Sequence, residues 1–280
     1  MNRSVIAAAA ALVFVTAPAS APAEDAGASW DSAMAAVLAG DHRGASRSGV
    51  PNSSRDGARN PAETLKFFGL QPDSSVVEIW PSGGWYTEII APFVAENGQF
   101  YGAHFPGGTD MEFFNRARDA YKAKLEADPE VYGNAQITAM YTGMMDLAPE
   151  PVDMVLTFRN VHNWMSRDFQ DEVMQGFYDA LKPGGILGIV EHRAAPGSEQ
   201  DPKAESGYVT EEYTIALAEK AGFVLDGKSE INANPRDTRD HPEGVWTLPP
   251  TLRLGDEDRE KYVEIGESDR YTLRFRKPEA

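Results

Sequence analysis

SSVVEIWPSGGWYT, residues 74–87, is the stretch on which the reading of this chain turns. Val76, Val77, Glu78 and Ile79 form a short apolar, β-branched run with one acid inside it, and Pro81, Ser82, Gly83 and Gly84 break that run at once. A buried strand ending in a tight turn is expected. Beyond the turn, Tyr86, Ile89, Ile90, Phe93 and Val94 recur at helical spacing, so strand, glycine turn and helix follow one another directly. That order opens a nucleotide-binding unit. Glycine lets backbone approach a ligand closely, the new helix offers unpaired N–H groups, and an acid on the strand can pair with a ligand amine or hydroxyl. A plain turn carries the same glycines, so the flanking sequence has to decide.

Upstream, Asn60 stands where a helix N-cap belongs, Pro61 takes the first helical position, Glu63 can reach back, and Gly69 closes the helix. Downstream, Pro92 falls inside the helix that follows the turn and predicts a kink or an early end, because it removes a backbone hydrogen bond. Residues 99–105 read as a second strand, 135–141 as a third and 152–158 as a fourth. Phe114, Ala117, Tyr121 and Leu125 mark an amphipathic helix, and Phe169, Val173, Met174, Phe177 and Leu181 mark another. Lys182, Pro183, Gly184 and Gly185 stop the latter and launch a fifth strand over 186–190. Thr210 caps a helix over 211–221, a short strand follows at 223–225, and 271–275 is the last strand. Strands alternating with helices predict an α/β fold, a parallel sheet with helices on both faces, in one domain over 60–280 without internal repeats.

Composition narrows the function. The chain has 280 residues, 42% hydrophobic and 10% aromatic, which is that of an ordinary globular protein. Its net charge of −17 argues against nucleic acid and anionic membranes, since phosphate contacts need clustered Lys and Arg. Arg3, the apolar run 5–15 and the small residues Ala21, Pro22 and Ala23 before Glu24 read as a secretory signal peptide over 1–23. That run is about half of the roughly 20 residues that span a bilayer. With no cysteine there is neither a disulfide nor a lipid-bearing thiol. A periplasmic or secreted protein acting on a small molecule is expected. Residues 24–59 read as an N-terminal arm, helical over 30–38, whose Trp30, His42, Arg43 and Arg55 are either solvated loop residues or close over a pocket.

From residue 60 to 277 the motif order resembles the class I S-adenosylmethionine-dependent methyltransferases. VVEIWPSGGWYT matches their first motif, DALKPGGILGIVEH resembles the turn into their fifth strand, and GYVTEEYTIALAEKAGFVL resembles their late helix and sixth strand. More narrowly, FRNVHNWM and INANPRDTRDHPEGVWTLPP resemble a bacterial family of predicted exported methyltransferases. The resemblance implies a Rossmann-like, seven-stranded, mostly parallel sheet whose last strand is antiparallel, with S-adenosylmethionine at the C-terminal edge. It implies cofactor contacts from Glu78, Pro81, Gly83, Gly84, His104, Met144 and Arg159, Met144 with Met145 packing the adenine or simply filling core. Two departures stand out. Where the common pattern has three spaced glycines, this chain has Trp80, Ser82 and Gly84, and where an acid usually meets the ribose it has His104.

Three of the five histidines, His104, His162 and His192, fall at the predicted C-terminal ends of strands two, four and five, the edge where open α/β sheets bind ligands. Strands four and five are expected to be neighbours about 5 Å apart, which lets His162 and the Glu191-His192 pair face one pocket. A histidine beside a carboxylate is a workable general base. His162, Glu191 and His192 are therefore the candidate catalytic residues, with helix capping as their structural alternative. No metal is expected, because strand two lies two positions from strand four and the set lacks a tight ligand spacing. Methyl transfer to a small acceptor is the leading reading, and an exported methyltransferase fold repurposed as a non-catalytic binder is the alternative.

Overall fold

A computed structural model describes residues 23–44 and 50–279. The expected signal peptide lies, up to residue 22, outside the described residues. The chain begins with α1 (Ala23–Leu38), α2 (Asp56–Arg59) and α3 (Pro61–Phe68), then enters β1 (Ser75–Ile79), α4 (Thr87–Val94), β2 (Gln99–His104), α5 (Glu112–Ala127) and α6 (Pro129–Tyr132). There follow β3 (Gln136–Tyr141), β4 (Met144–Asp146), β5 (Val152–Phe158), α7 (Val161–Met165), α8 (Gln170–Ala180) and β6 (Leu181–His192). The chain ends with α9 (Glu211–Lys220), β7 (Val224–Ser229), α10 (Arg259–Ile265) and β8 (Arg270–Arg276).

The strands form one eight-stranded sheet ordered β4-β3-β2-β1-β5-β6-β8-β7. The run β3-β2-β1-β5-β6 is parallel throughout, and β8 is antiparallel to both β6 and β7. The expectation of seven strands is corrected by β4, which folds back antiparallel on β3 through a turn where Gly143 takes φ 72°. Three residues are too short a run for periodicity to reveal.

The period-two alternation of β1 divides the core in two. Val76, with Phe100 of β2 and Met154 and Leu156 of β5, packs on α1, α3 and α4 through Met34, Leu65, Phe68 and Ile90. Val77 and Ile79, with Val155 and Ile189, pack on the opposite face against Val173 and Phe177 of α8 and Leu217 of α9.

Trp30, His42 and Arg43 of the N-terminal arm belong to this packing and are not solvated loop residues. Trp30 is buried and donates from Nε1 to the Leu70 carbonyl at 2.7 Å, while the Arg43 guanidinium lies buried against both carboxylate oxygens of Asp56. The conflict posed by Pro92 is resolved by the same arm. Pro92 lacks the N–H that would bond the Glu88 carbonyl one turn back, and His42 Nε2 supplies a donor to that oxygen at 2.8 Å. Helix α4 still ends two residues beyond the proline. Asn60 differs from expectation. It precedes Pro61, but its backbone is left-handed (φ 39°, ψ 56°), and its side chain donates to the Ile231 carbonyl at 2.7 Å instead of capping α3.

Candidate active site

Strand order reverses at β1, whose two neighbours are β2 and β5, and a crevice opens beyond the carboxyl ends of these strands. It is a cavity of about 490 Å³ lined by residues from the ends of β1, β2, β5 and β6 and by the loop that carries Val245, Trp246, Pro249 and Pro250. Asn160 pins the reversal point: its side-chain amide donates to the Ile79 carbonyl at 3.0 Å and lies 3.2 Å from Thr157 Oγ1.

The turn after β1 is left-handed at alternate residues. Trp80, Ser82 and Gly84 all have positive φ, 45°, 56° and 77° respectively. For an L-residue that conformation costs on the order of 1–2 kcal/mol, so something must hold Trp80 in it. Its N–H extends the ladder to the Ala103 carbonyl at 2.8 Å, its indole N–H donates to the Met140 carbonyl at 3.0 Å, and its ring is buried among Phe105, Trp164 and Phe169. Trp80, Pro81 and Ser82 line the cavity, whereas Gly83 and Gly84 do not. A Cβ on Gly84 would sit 3.1 Å from Tyr121 Cε2 and 3.3 Å from Thr87 Cβ. Its constraint comes from the protein behind it.

Glu78 lies buried at the cavity and accepts from Thr87 Oγ1 at 2.6 Å. Burial pushes its carboxyl up to about 8, against the opposing pull of the Thr87 hydrogen bond and Lys124, so it carries a proton at neutral pH. His104, buried at the end of β2, also lines the cavity, and its Nδ1 accepts the Phe105 N–H at 2.8 Å. That bond assigns the ring proton to Nε2, making the ring a donor at the end of β2. Met144 stands apart. It is exposed on the edge hairpin and does not line the cavity, because β4 is the outermost strand, three positions from β1 in the sheet.

His162 and Glu191 meet. His162 Nδ1 lies 3.1 Å from Glu191 Oε1, which also accepts the His192 N–H at 2.8 Å, while Glu191 Oε2 accepts the Val161 N–H at 2.6 Å. A fully buried carboxylate with these donors is rigidly placed. Being acceptor-only, it fixes the proton on His162 Nδ1 and leaves Nε2 as the basic nitrogen. His192 Nδ1 is bonded to Ser268 Oγ, and its ring centroid is 5.4 Å from that of His162. Burial, followed by the charges of His162, Arg159, Arg270 and Arg59, drives the His192 pKa well below its ordinary value, so its ring is neutral. Donor atoms of His162, Glu191 and His192 lie within 4.8 Å of one another, close enough to be considered together as metal ligands, although the Glu191 oxygens are already committed to protein donors.

One feature was not read from the sequence. Glu267 receives Arg59 Nε at 3.0 Å, Arg55 Nε at 3.1 Å and Arg270 Nη1 at 3.2 Å, with Arg159 Nη1 at 3.9 Å. Burial alone would raise this carboxyl, yet the four guanidiniums outweigh it and hold it at about 2. Arg270, the buried first residue of the strand RYTLRFR, carries no spacing that ties it to Arg55, Arg59 or Arg159 in the sequence. The loop bearing Trp246 is anchored by buried Asp237, which accepts from Tyr208 Oη at 2.9 Å, His241 Nε2 at 2.9 Å and the Asp269 N–H at 2.8 Å. It brings the Trp246 ring to 5.9 Å from His162.

No protein-family model matches the chain, and no curated protein is similar to it in sequence. Solved structures are similar in fold. A SAM dependent methyltransferase from Aquifex aeolicus is 15% identical with a TM-score of 0.51, covering 80% of this chain and 93% of its own. The cyclase SpnF is 16% identical with a TM-score of 0.53, over 91% and 94%. A putative sarcosine dimethylglycine methyltransferase from Galdieria sulphuraria is 13% identical with a TM-score of 0.53, over 81% and 86%. At such identity the likeness concerns the fold alone: this chain has the architecture seen in S-adenosylmethionine-dependent methyltransferases, with a cavity of about 490 Å³ at that sheet's C-terminal edge.

Proposed function

We propose that this protein transfers a methyl group from S-adenosylmethionine to a small acceptor, with His162 as general base. The observation that carries the reading is the His162–Glu191 pair, 3.1 Å apart, beside a cavity at the reversal point of this sheet. The residues present fit the cofactor. Trp80 and Ser82 hold a left-handed backbone at the cavity wall, Glu78 offers a protonated carboxyl near the end of β1, and His104 lines the cavity at the end of β2. S-adenosylmethionine bound there supplies an electrophilic methyl carbon.

The chain's own contribution is position and one proton transfer. Apolar walls from Trp80, Phe105, Phe158 and Trp246 limit water around the reacting atoms. His162 Nε2 takes the acceptor's proton, and Glu191, bonded to Nδ1, orients the ring and stabilises the imidazolium that forms. Export to the periplasm or beyond is part of the proposal and rests on residues 1–23 alone.

The test measures S-adenosylhomocysteine released from S-adenosylmethionine with panels of small carboxylates, phenols and amines. The wild-type protein is expected to turn over at least one of these, and His162→Ala to lower that rate by about 10²–10⁴ with unchanged cofactor affinity. Full turnover in the His162→Ala variant would reduce the pair to a helix cap.

A further inference from the structure

Acids outnumber bases 43 to 26 in this chain, yet the cavity wall beside His162 is positive. Arg55, Arg59, Arg159 and Arg270 converge on Glu267, four guanidiniums against one carboxylate. Arg59 and Arg270 are almost fully buried, and both terminal nitrogens of Arg59 lack a hydrogen-bond partner among the described residues. Charge buried in this excess costs free energy unless an anion offsets it.

Arg159 is the member of the group that is free to act. It lines the cavity with its side chain one quarter exposed, stands 3.9 Å from Glu267, and makes no side-chain hydrogen bond among the described residues. The other three arginines already occupy most of what one carboxylate can accept. The Arg159 backbone is held at φ 63°, an uncommon conformation for a side chain of this size, and its N–H is tied to the Val190 carbonyl at 2.7 Å. Such placement keeps a five-donor planar fork at the end of β5, one turn from His162. Arg167 adds a second guanidinium to the cavity lining, though its Nη1 already donates to the Asn163 carbonyl. A cation on the donor atoms of His162, Glu191 and His192 would meet the repulsion of the same arginines; an anion meets their attraction.

We infer that the cavity beside the end of β5 is an anion subsite, in which Arg159 grips the carboxylate of a small methyl acceptor while half-buried Arg55 and buried Arg59 and Arg270 supply the field. Only the word acceptor rests on the methyl-transfer reading. Size agrees with it: about 490 Å³ is within the range of roughly 300–1,000 Å³ that holds one drug-sized ligand, so an acceptor sharing the cavity with a nucleoside cofactor must be small.

Calorimetry at constant ionic strength tests the subsite with benzoate and its neutral isostere benzamide. The wild-type protein is expected to bind benzoate roughly 10–100-fold more tightly than benzamide, the value of a charge-assisted hydrogen bond. Arg159→Gln should remove that preference and leave affinity for S-adenosylhomocysteine and 5′-methylthioadenosine unchanged. Equal binding of benzoate and benzamide by the wild type overturns the inference without any variant. So does an Arg159→Gln variant that weakens S-adenosylhomocysteine but spares 5′-methylthioadenosine, which has no carboxylate, because the guanidinium would then serve the cofactor. Arg159-dependent benzoate binding in a protein that ignores S-adenosylhomocysteine upholds the subsite and sinks the methyl-transfer reading alone.

Discussion

Ser82 holds a left-handed backbone, φ 56°, without being a glycine. Replacing it by glycine relieves about 1–2 kcal/mol of strain and returns about 0.4–1 kcal/mol through the more flexible unfolded chain. Ser82→Gly is therefore expected to raise the urea midpoint modestly, whereas Gly84→Ala, crowded against Tyr121 and Thr87, should lower it. A drop in both would mean that the turn is not strained in this way. Glu78 makes a prediction of opposite character. Its folded pKa, about 8, lies above the ordinary 4.5, so its contribution to stability is fully present below about pH 4.5 and is lost as pH rises through 8. Urea titrations of the wild type should weaken from about pH 5 to pH 9 relative to Glu78→Gln, and parallel curves would show that Glu78 ionises normally. Sequence placed Glu78 and Glu191 on their strands, because strands are marked by composition, while His162, expected at a strand end, lies in α7 just beyond β5. Sequence did not show that Trp80 and Ser82 hold a left-handed backbone, since φ is a property of packing around a residue and not of its type alone.

Helix α4 illustrates what an element owes to distant chain. Pro92 was readable as a conflict within 87–94, but its remedy, His42, sits in another segment and meets the Glu88 carbonyl only after folding. His42→Ala should cost about 1 kcal/mol or somewhat more by leaving that carbonyl unpaired. In a Pro92→Ala background the restored N–H reaches the same oxygen, and the cost of His42→Ala should fall by about 1 kcal/mol. Thermal or urea melts of the four proteins measure this coupling; additive losses would assign His42 another role. Strands β1, β2, β3, β5, β6 and β8 were legible because each is a continuous apolar or alternating run. Strand β4 and helices α7 and α10 were not, being three, five and seven residues long and held by tertiary contacts more than by local pattern.

At the scale of the molecule, the sheet order and the reversal at β1 place every candidate group except Met144, Gly83 and Gly84 beside one cavity or against its wall. Glu267 joins parts of the chain that no local reading connects: Arg55 and Arg59 before the domain's first strand, Arg159 after β5 and Arg270 in β8. Such long-range electrostatics leave no spacing signature, which is why the positive wall emerged only from the folded chain. The architecture does not by itself fix a reaction, as the similarity to the cyclase SpnF shows. Cofactor binding is the most direct test of the account. Calorimetric titration with S-adenosylhomocysteine is predicted to show saturable one-to-one binding by the wild type, weakened in Glu78→Ala and retained in His162→Ala; no binding by the wild type at millimolar ligand would contradict it.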